Sequence, residues 1–379
     1  MRNLLRAALL AVLIAPATAT ALGPPPTPSG TAWLLVDGQT GEVLAERNPD
    51  AARPMASTTK MMTALVALES GDLDKVVTVV PAAAGGVGES SAGLKPGQRI
   101  TMHDLIRGLM IGSGNDAAIA IAYAVAGSEA EFVTRMNDKA KEMGLTSTRF
   151  ANPHGLDEPG HRSSPRDLLV LGRAVVKDPF LRKIVGQRRT SIPNSDGSGR
   201  VQLESENDLL SIMPEADGVK TGHTDDAGYV LVAHATSGNL GRDFYAVVMG
   251  EPDRATRAAD SQALLEWAFA NYARPVVIPR GRTVVDLGVQ GVPGTTVALA
   301  PPAPVAATVR VGKPVSMRVV APSMATAPVQ KGQRVGRVEV LQDGAVLARS
   351  ALIARGSVDS PGFGDSLKSA LSGIGSVFS

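Results

Sequence analysis

Apolar and polar positions along the chain change rhythm several times, and each rhythm predicts a different kind of element. Ala32-Trp33-Leu34-Leu35-Val36 and Glu42-Val43-Leu44-Ala45 flank Gly38-Gln39-Thr40-Gly41, the pattern of a β-hairpin. From about residue 57 to about 175 the pattern is helical. Lys60-Met61-Met62-Thr63-Ala64-Leu65-Val66 is apolar and rich in helix formers. Two further apolar helical stretches, 105–111 and 116–120, meet at a bend, Ser113-Gly114-Asn115. Strands return near residues 228–250, and Lys220-Thr221-Gly222 is read as lying just before the β-type run that starts at Gly228. A last helix is predicted over about 254–272. Past Arg274-Pro275 the chain becomes short Val-rich runs broken by Gly and Pro, including a hairpin with Asp343-Gly344 at its turn. That is the pattern of a small all-β domain. Beyond Gly356, Phe363, Leu367, Leu371, Ile374 and Phe378 share one face at helical spacing. Gly373 and Gly375 weaken this tail and Lys368 is its one cation, so an interfacial membrane helix and a frayed terminus are both open readings.

The N-terminus adds a compartment. Arg2 and Arg6 precede an apolar core, Ala7 to Ile14, too short to span a bilayer, and Ala17-Thr18-Ala19 or Ala19-Thr20-Ala21 offers a small-residue cleavage site. A Pro/Thr/Gly linker follows. The expected organisation is a signal peptide (1–21), a linker (22–30), a mixed α and β domain (31–273), a β-rich domain (274–356) and the amphipathic tail (357–379). With 379 residues, two domains are the natural expectation. Zero cysteines exclude disulfides and thiolate metal sites. The five histidines show no zinc-enzyme spacing, so neither metal nor cofactor is expected. A net charge of +2 with no basic stripe argues against a nucleic-acid partner.

Chemistry concentrates in three short stretches. Ser57 and Lys60 stand at i and i+3, one helical turn apart, with Ser57 at the start of the helix. A serine hydroxyl becomes nucleophilic when a neighbouring base takes its proton, and a lysine can be that base if burial or nearby positive charge keeps it neutral. Ser113 with Asn115, and Lys220-Thr221-Gly222, supply a second hydroxyl and a second ammonium. A nearby strand offers backbone N–H groups for an oxyanion.

S-x-x-K, S-x-N and K-T-G in this order resemble the set found in penicillin-binding proteins and serine β-lactamases. Gly93-Leu94-Lys95-Pro96-Gly97, Asn152-Pro153-His154-Gly155-Leu156-Asp157, Asp217 to Thr224 and Ala327 to Gln333 extend the likeness over both domains. The chain resembles the low-molecular-weight penicillin-binding proteins that act as serine D-alanyl-D-alanine carboxypeptidases. That resemblance implies an α/β (α+β) catalytic domain, a five-stranded antiparallel sheet flanked by helices, then the small all-β domain. It implies an exported, periplasmic protein attached peripherally to the outer face of the inner membrane through its tail. It also implies peptidoglycan stem peptides as substrate and β-lactams as covalent inhibitors. Ser57 becomes the nucleophile, Lys60 the proton acceptor, and Ser113 and Lys220 the relay to the leaving amine. The oxyanion would rest on the N–H groups of Ser57 and of a residue near His223. Asn115 is assigned to substrate backbone, a role compatible with its also capping the following helix. Lys220, Thr221, Gly222, His223 and Thr224 are assigned to substrate binding, the Lys220 charge and the Thr221 and Thr224 hydroxyls to the substrate carboxylate together with, by the resemblance, Arg257, with Arg254 the competitor of Arg257. His223 itself gains no role, while His154 and Asp157 are read as ordering a loop. A class A β-lactamase would need an E-x-x-L-N glutamate, and Glu206-Asn207-Asp208-Leu209-Leu210 does not fit it. A D,D-endopeptidase and a non-catalytic, membrane-attached β-lactam-binding scaffold remain as alternatives.

Overall fold

The structure is a computed structural model that describes residues 5–10, 23–84, 90–237 and 241–360. Contacts divide these into two compact units, 23–269 and a second made of 270–360 with the strand Leu5–Leu10. The amphipathic tail from residue 361 onward, and the proposed cleavage sites, lie outside the described residues.

The first unit is built on a five-stranded sheet of Ala32–Asp37 (β1), Val43–Arg47 (β2), Ala216–Thr224 (β3), Gly228–Ser237 (β4) and Arg242–Glu251 (β5). Its spatial order is β2-β1-β5-β4-β3, and every neighbouring pair is antiparallel. All six residues of β1 are buried, so both faces of the sheet are covered at its centre, which is why that segment reads as a continuous apolar run rather than an alternating one. The expected antiparallel five-stranded sheet is therefore present. Lys220-Thr221-Gly222 does precede the strand that starts at Gly228, and the structure adds that it lies itself within the edge strand β3.

The helices are Lys60–Glu69 (α1), Met102–Met110 (α2), Asn115–Ala126 (α3), Glu129–Glu142 (α4), Pro165–Lys177 (α5), Pro179–Val185 (α6), Leu209–Ile212 (α7) and Arg254–Asn271 (α8). Local chemistry sets several of their starts. Thr101, Ser128 and Ser164 each accept a hydrogen bond from the backbone N–H three residues on, and Pro165 occupies the first turn of α5 where its missing N–H costs nothing. In α3 the run from Asn115 to Ala122 is buried throughout, and this helix forms the centre of the core with α1 and α2. Among the described residues no single helix is long and apolar enough to cross a membrane. The bent pair α3 and α4 reaches that length and composition only jointly, and α3 is core.

The second unit is all β among its described residues beyond α8. Its main sheet runs Leu5–Leu10, Val315–Pro322, Arg334–Gln342, Ala345–Ala354, Thr296–Ala300, Val285–Gln290 and Ala325–Thr326. Strict alternation of buried and half-buried residues along Val315–Pro322 turns Val315, Met317, Val319 and Ala321 into its core. The hairpin expected around Asp343-Gly344 is present, joining Arg334–Gln342 to Ala345–Ala354. Glu339, buried beneath Arg318, Arg337 and Arg349, accepts hydrogen bonds from all three, which hold its carboxyl down at about 2.

Candidate active site

Ser57 sits in a 3-10 turn, Ala56–Thr59, that runs directly into α1, so Lys60 is the first residue of the helix proper. Ala56 has a left-handed backbone at φ 48°, and Ser113 another at φ 52°. Each costs on the order of 1–2 kcal/mol for a residue with a Cβ. Both serines of the site are thus held by backbone that the surrounding structure must enforce.

Lys60 is fully buried, and its Nζ lies 2.7 Å from each of Ser57 Oγ, Asn115 Oδ1 and the main-chain carbonyl of His154. Burial, with the charge of Lys220 adding to it, holds its pKa well below the ordinary lysine value. The geometry suits the neutral amine. Two N–H groups serve Asn115 and His154, whose oxygens only accept, and the lone pair faces the Ser57 hydroxyl. Asn115 is the first residue of α3, and Gly114 occupies the N-cap position, so the capping role for Asn115 is set aside. Its side-chain oxygen is spent on Lys60.

The second pair is built the same way. Lys220 is 3% exposed, and its Nζ donates to Ser113 Oγ at 3.1 Å and to the Thr221 carbonyl at 3.0 Å. Burial lowers its pKa to about 8; Glu206 pulls it up and Arg257 pushes it further down. Thr221 is buried beside it. At Gly222 a Cβ would come within 2.9 Å of both Ser57 N and the Ala56 Cβ. Only glycine lets the edge strand lie against the serine turn, and that contact brings strand backbone to Ser57.

A loop from Asn152 to Asp157 closes the site from the other side. Asn152 Oδ1 accepts the N–H groups of His154 and Gly155, and Thr63 Oγ1, one turn beyond Lys60, donates to the Pro153 carbonyl at 2.6 Å. The loop-ordering reading of His154 and Asp157 fits these contacts, with the addition that the His154 carbonyl is a ligand of Lys60. Below the turn, His161 accepts the Ala151 N–H at Nδ1 and lies 2.7 Å from Thr59 Oγ1 at Nε2, and Thr59 Oγ1 donates to the Ala56 carbonyl. Burial pushes His161 down to about 4, which keeps it neutral and matches that pattern of one acceptor and one donor nitrogen. Gly155 carries φ 99°, and a Cβ there would fall 2.1 Å from the Ala56 carbonyl oxygen. Gly155→Ala is expected to cost about 3 kcal/mol through backbone strain and overpacking. Thermal denaturation measures this, and an unchanged melting temperature would contradict the packing of this loop on the serine turn.

These elements surround a cleft of about 360 Å³ lined by Ser57, Asn115, Gly222, His223 and Thr224 among others. Asp157 and Glu206 also line it. Two sequence expectations change here. Thr224 Oγ1 donates to Asp157 Oδ1 at 2.7 Å, so its hydroxyl anchors the loop and is not left for a ligand carboxylate. Arg257 is 2% exposed in α8, donates to the Glu206 carbonyl at 2.9 Å and lies over the Tyr229 ring, so it sits behind the cleft and acts on Lys220 through its charge. Arg254 is paired with both oxygens of Asp208. His223 is exposed and stacks on Tyr229 at 4.0 Å, the residue opposite it in β4.

Two residues were missed by sequence reasoning. Glu206, set aside for not fitting a lactamase motif, reaches the cleft wall. Asp116 follows Asn115 and binds Ser91 Oγ and the N–H groups of Ala92 and Leu94, pinning the 91–94 segment to the start of α3. Its position next to Asn115 was the one available signal.

The family model described as D-alanyl-D-alanine carboxypeptidase matches residues 18–253, and the one described as the penicillin-binding protein 5 C-terminal domain matches 274–360. The chain is 34% identical over 339 residues to D-alanyl-D-alanine carboxypeptidase DacF of Bacillus subtilis, covering 87% of this chain and 86% of that one. It is 35% identical over 353 residues to D-alanyl-D-alanine carboxypeptidase DacC of Escherichia coli, with 89% and 86% covered. The solved penicillin-binding protein 5 of Haemophilus influenzae superposes with a TM-score of 0.72 at 32% identity, covering 89% of this chain and all of that one. With each serine bonded to its buried lysine, Ser57 open to the cleft and both domains matched, the chain belongs to the D-alanyl-D-alanine carboxypeptidase family of serine peptidases.

Proposed function

We propose that this protein removes the terminal D-alanine from peptidoglycan stem peptides ending in D-Ala-D-Ala, through an acyl-enzyme on Ser57. The observation that carries the reading is the buried Lys60 amine placed 2.7 Å from Ser57 Oγ with its other two contacts on oxygens that only accept. Lys60 takes the Ser57 proton as Oγ bonds to the carbonyl carbon of the penultimate residue. The resulting oxyanion is held by backbone N–H groups of Ser57 and of the edge strand near His223. The C–N bond then breaks, and D-alanine leaves as the amine with a proton delivered along Ser113 and Lys220. Water, deprotonated in turn by Lys60, hydrolyses the ester and restores Ser57. The Lys220 ammonium and the Thr221 hydroxyl receive the substrate's terminal carboxylate, and Arg257 reinforces that positive field from behind. β-Lactams acylate the same serine. The apolar stretch near the N-terminus exports the chain and is then cleaved, so the strand Leu5–Leu10 belongs to the precursor, and the C-terminal tail holds the mature protein at the outer face of the cytoplasmic membrane.

Incubation of the purified protein with a pentapeptide ending in D-Ala-D-Ala and, separately, with a cross-linked dimer tests this reading. Free D-alanine from the pentapeptide is the expected product. Cleavage of the dimer alone would replace the carboxypeptidase reading with an endopeptidase one, and penicillin acylation without release from either would favour a binding scaffold.

A further inference from the structure

His234, at the middle of β4, is 1% exposed, and both of its ring nitrogens face carboxylates. Nδ1 meets Asp217 Oδ1, and Nε2 lies 2.8 Å from Asp243 Oδ1. An ionised carboxylate only accepts hydrogen bonds, so a ring with one at each nitrogen must donate from both and is an imidazolium. The carboxylates themselves are held from further out. Arg182 of α6 donates to Asp217 Oδ2 at 2.9 Å, and Gln39, beyond β1, donates to Asp243 Oδ2 at 3.2 Å. Tyr245 of β5 pairs with His234 across the sheet, the two rings 4.4 Å apart, and Arg173 of α5 stands near that phenol. Burial alone would lower the pKa of His234, but the bonds to Asp217 and Asp243 outweigh it and raise it.

The register of the sheet explains how Asp217 reaches the ring. Gly218 pairs with His234 and Ala216 with Ala235, so Asp217 is the extra residue of a bulge, and bulges re-aim a side chain. The result is a bridge over three strands: Asp217 on β3, His234 on β4 and Asp243 on β5. β3 is an edge strand with a ladder partner on one side only, and Lys220 stands three residues beyond Asp217.

We propose that His234 is a positioning residue for the carboxypeptidase reaction: as an imidazolium between Asp217 and Asp243 it fixes the edge strand, and through it the Lys220 ammonium against Ser113. The inference rests on the role given to Lys220 above. The 3.1 Å contact from Lys220 to Ser113 depends on where β3 lies, and small displacements of a catalytic group cost rate steeply. The sign of the pH dependence follows from a raised histidine pKa. The bridge is complete below the ordinary histidine pKa, where the aspartates are still ionised, and is lost as the pH rises through the raised folded pKa of His234.

The experiment combines selective ¹⁵N-histidine NMR with kinetics. In the wild type at pH 7, both ring nitrogens of His234 are expected to carry protons, and the backbone amide shifts of residues 216–220 are expected to move in step with the loss of that proton at higher pH. A His234 ring with one bare nitrogen at pH 7, or amide shifts indifferent to its titration, would overturn the proposal. For His234→Gln, kcat for D-alanine release should fall about tenfold, and KM should rise with it because the displaced ammonium also receives the substrate carboxylate. A folded variant with wild-type kcat would also overturn it. If the variant does not fold, the wild-type NMR result decides. Absence of D-alanine release from the wild type would instead refute the parent reading, an outcome distinct from equal release by both proteins.

Discussion

Ser57→Ala is expected to lower D-alanine release by at least about 10³-fold and to abolish covalent labelling by penicillin, while leaving the fold intact. The size follows from the role. Removing the nucleophile removes the acyl-enzyme route altogether, and about 10³-fold corresponds to roughly 4 kcal/mol of barrier. The fold survives because Ser57 is only partly buried and its side-chain contact is with Lys60, while the turn is held by Thr58 and Thr59, which donate to the carbonyls of Met55 and Ala56. Steady-state assays with circular dichroism on the same preparation check both halves. A folded Ser57→Ala protein that still releases D-alanine at the wild-type rate would remove the serine from the mechanism.

The second large effect is on pH dependence. Lys60 works as a base only when neutral, so acylation is expected to rise with pH as Lys60 loses its proton. Burial and the Lys220 charge place that limb far below the ordinary lysine range. In the proposed mechanism Lys220 works as a cation, and its pKa of about 8 places the opposite limb there: above that pH the ammonium loses its charge, and binding of the substrate carboxylate is expected to weaken. The expected profile of kcat/KM is a bell falling on the alkaline side near pH 8, where loss of the Lys220 charge both weakens carboxylate binding and interrupts the relay to Ser113. Lys220→Gln should flatten the alkaline limb at a much reduced plateau, whereas Lys60→Gln should remove about 10³-fold at every pH. A profile that climbs steadily to pH 10 would contradict the assignment of the two lysines.

Much of this site was legible because its chemistry is local. Ser57 and Lys60 are one helical turn apart, the Ser113 bend is bracketed by two apolar helices, and the Asp343-Gly344 turn sits between two Val-rich runs. What was not legible depends on contacts that leave no pattern in the chain. Lys220-Thr221-Gly222-His223-Thr224 lacks the apolar alternation of a strand, because as an edge strand against the serine turn it is selected for close approach, as Gly222 shows, and for polar side chains. The His154 carbonyl that completes the Lys60 shell is backbone 94 residues away and carries no side-chain signature. Thr224 was assigned to ligand on its hydroxyl alone, and only the fold reveals that Asp157 occupies it. Arg257 is placed at the substrate carboxylate by the resemblance, yet it is buried over Tyr229, and nothing in the chain signals that burial.

The central claim is that Ser57 is the acylated residue, activated by its contact with Lys60. Intact-protein mass spectrometry after exposure to benzylpenicillin, followed by peptide mapping, measures this most directly. The account predicts one penicilloyl adduct per chain, located on the peptide that contains Ser57 and absent from Ser57→Ala. An adduct on any other residue, or a wild-type protein whose mass does not change, would contradict it.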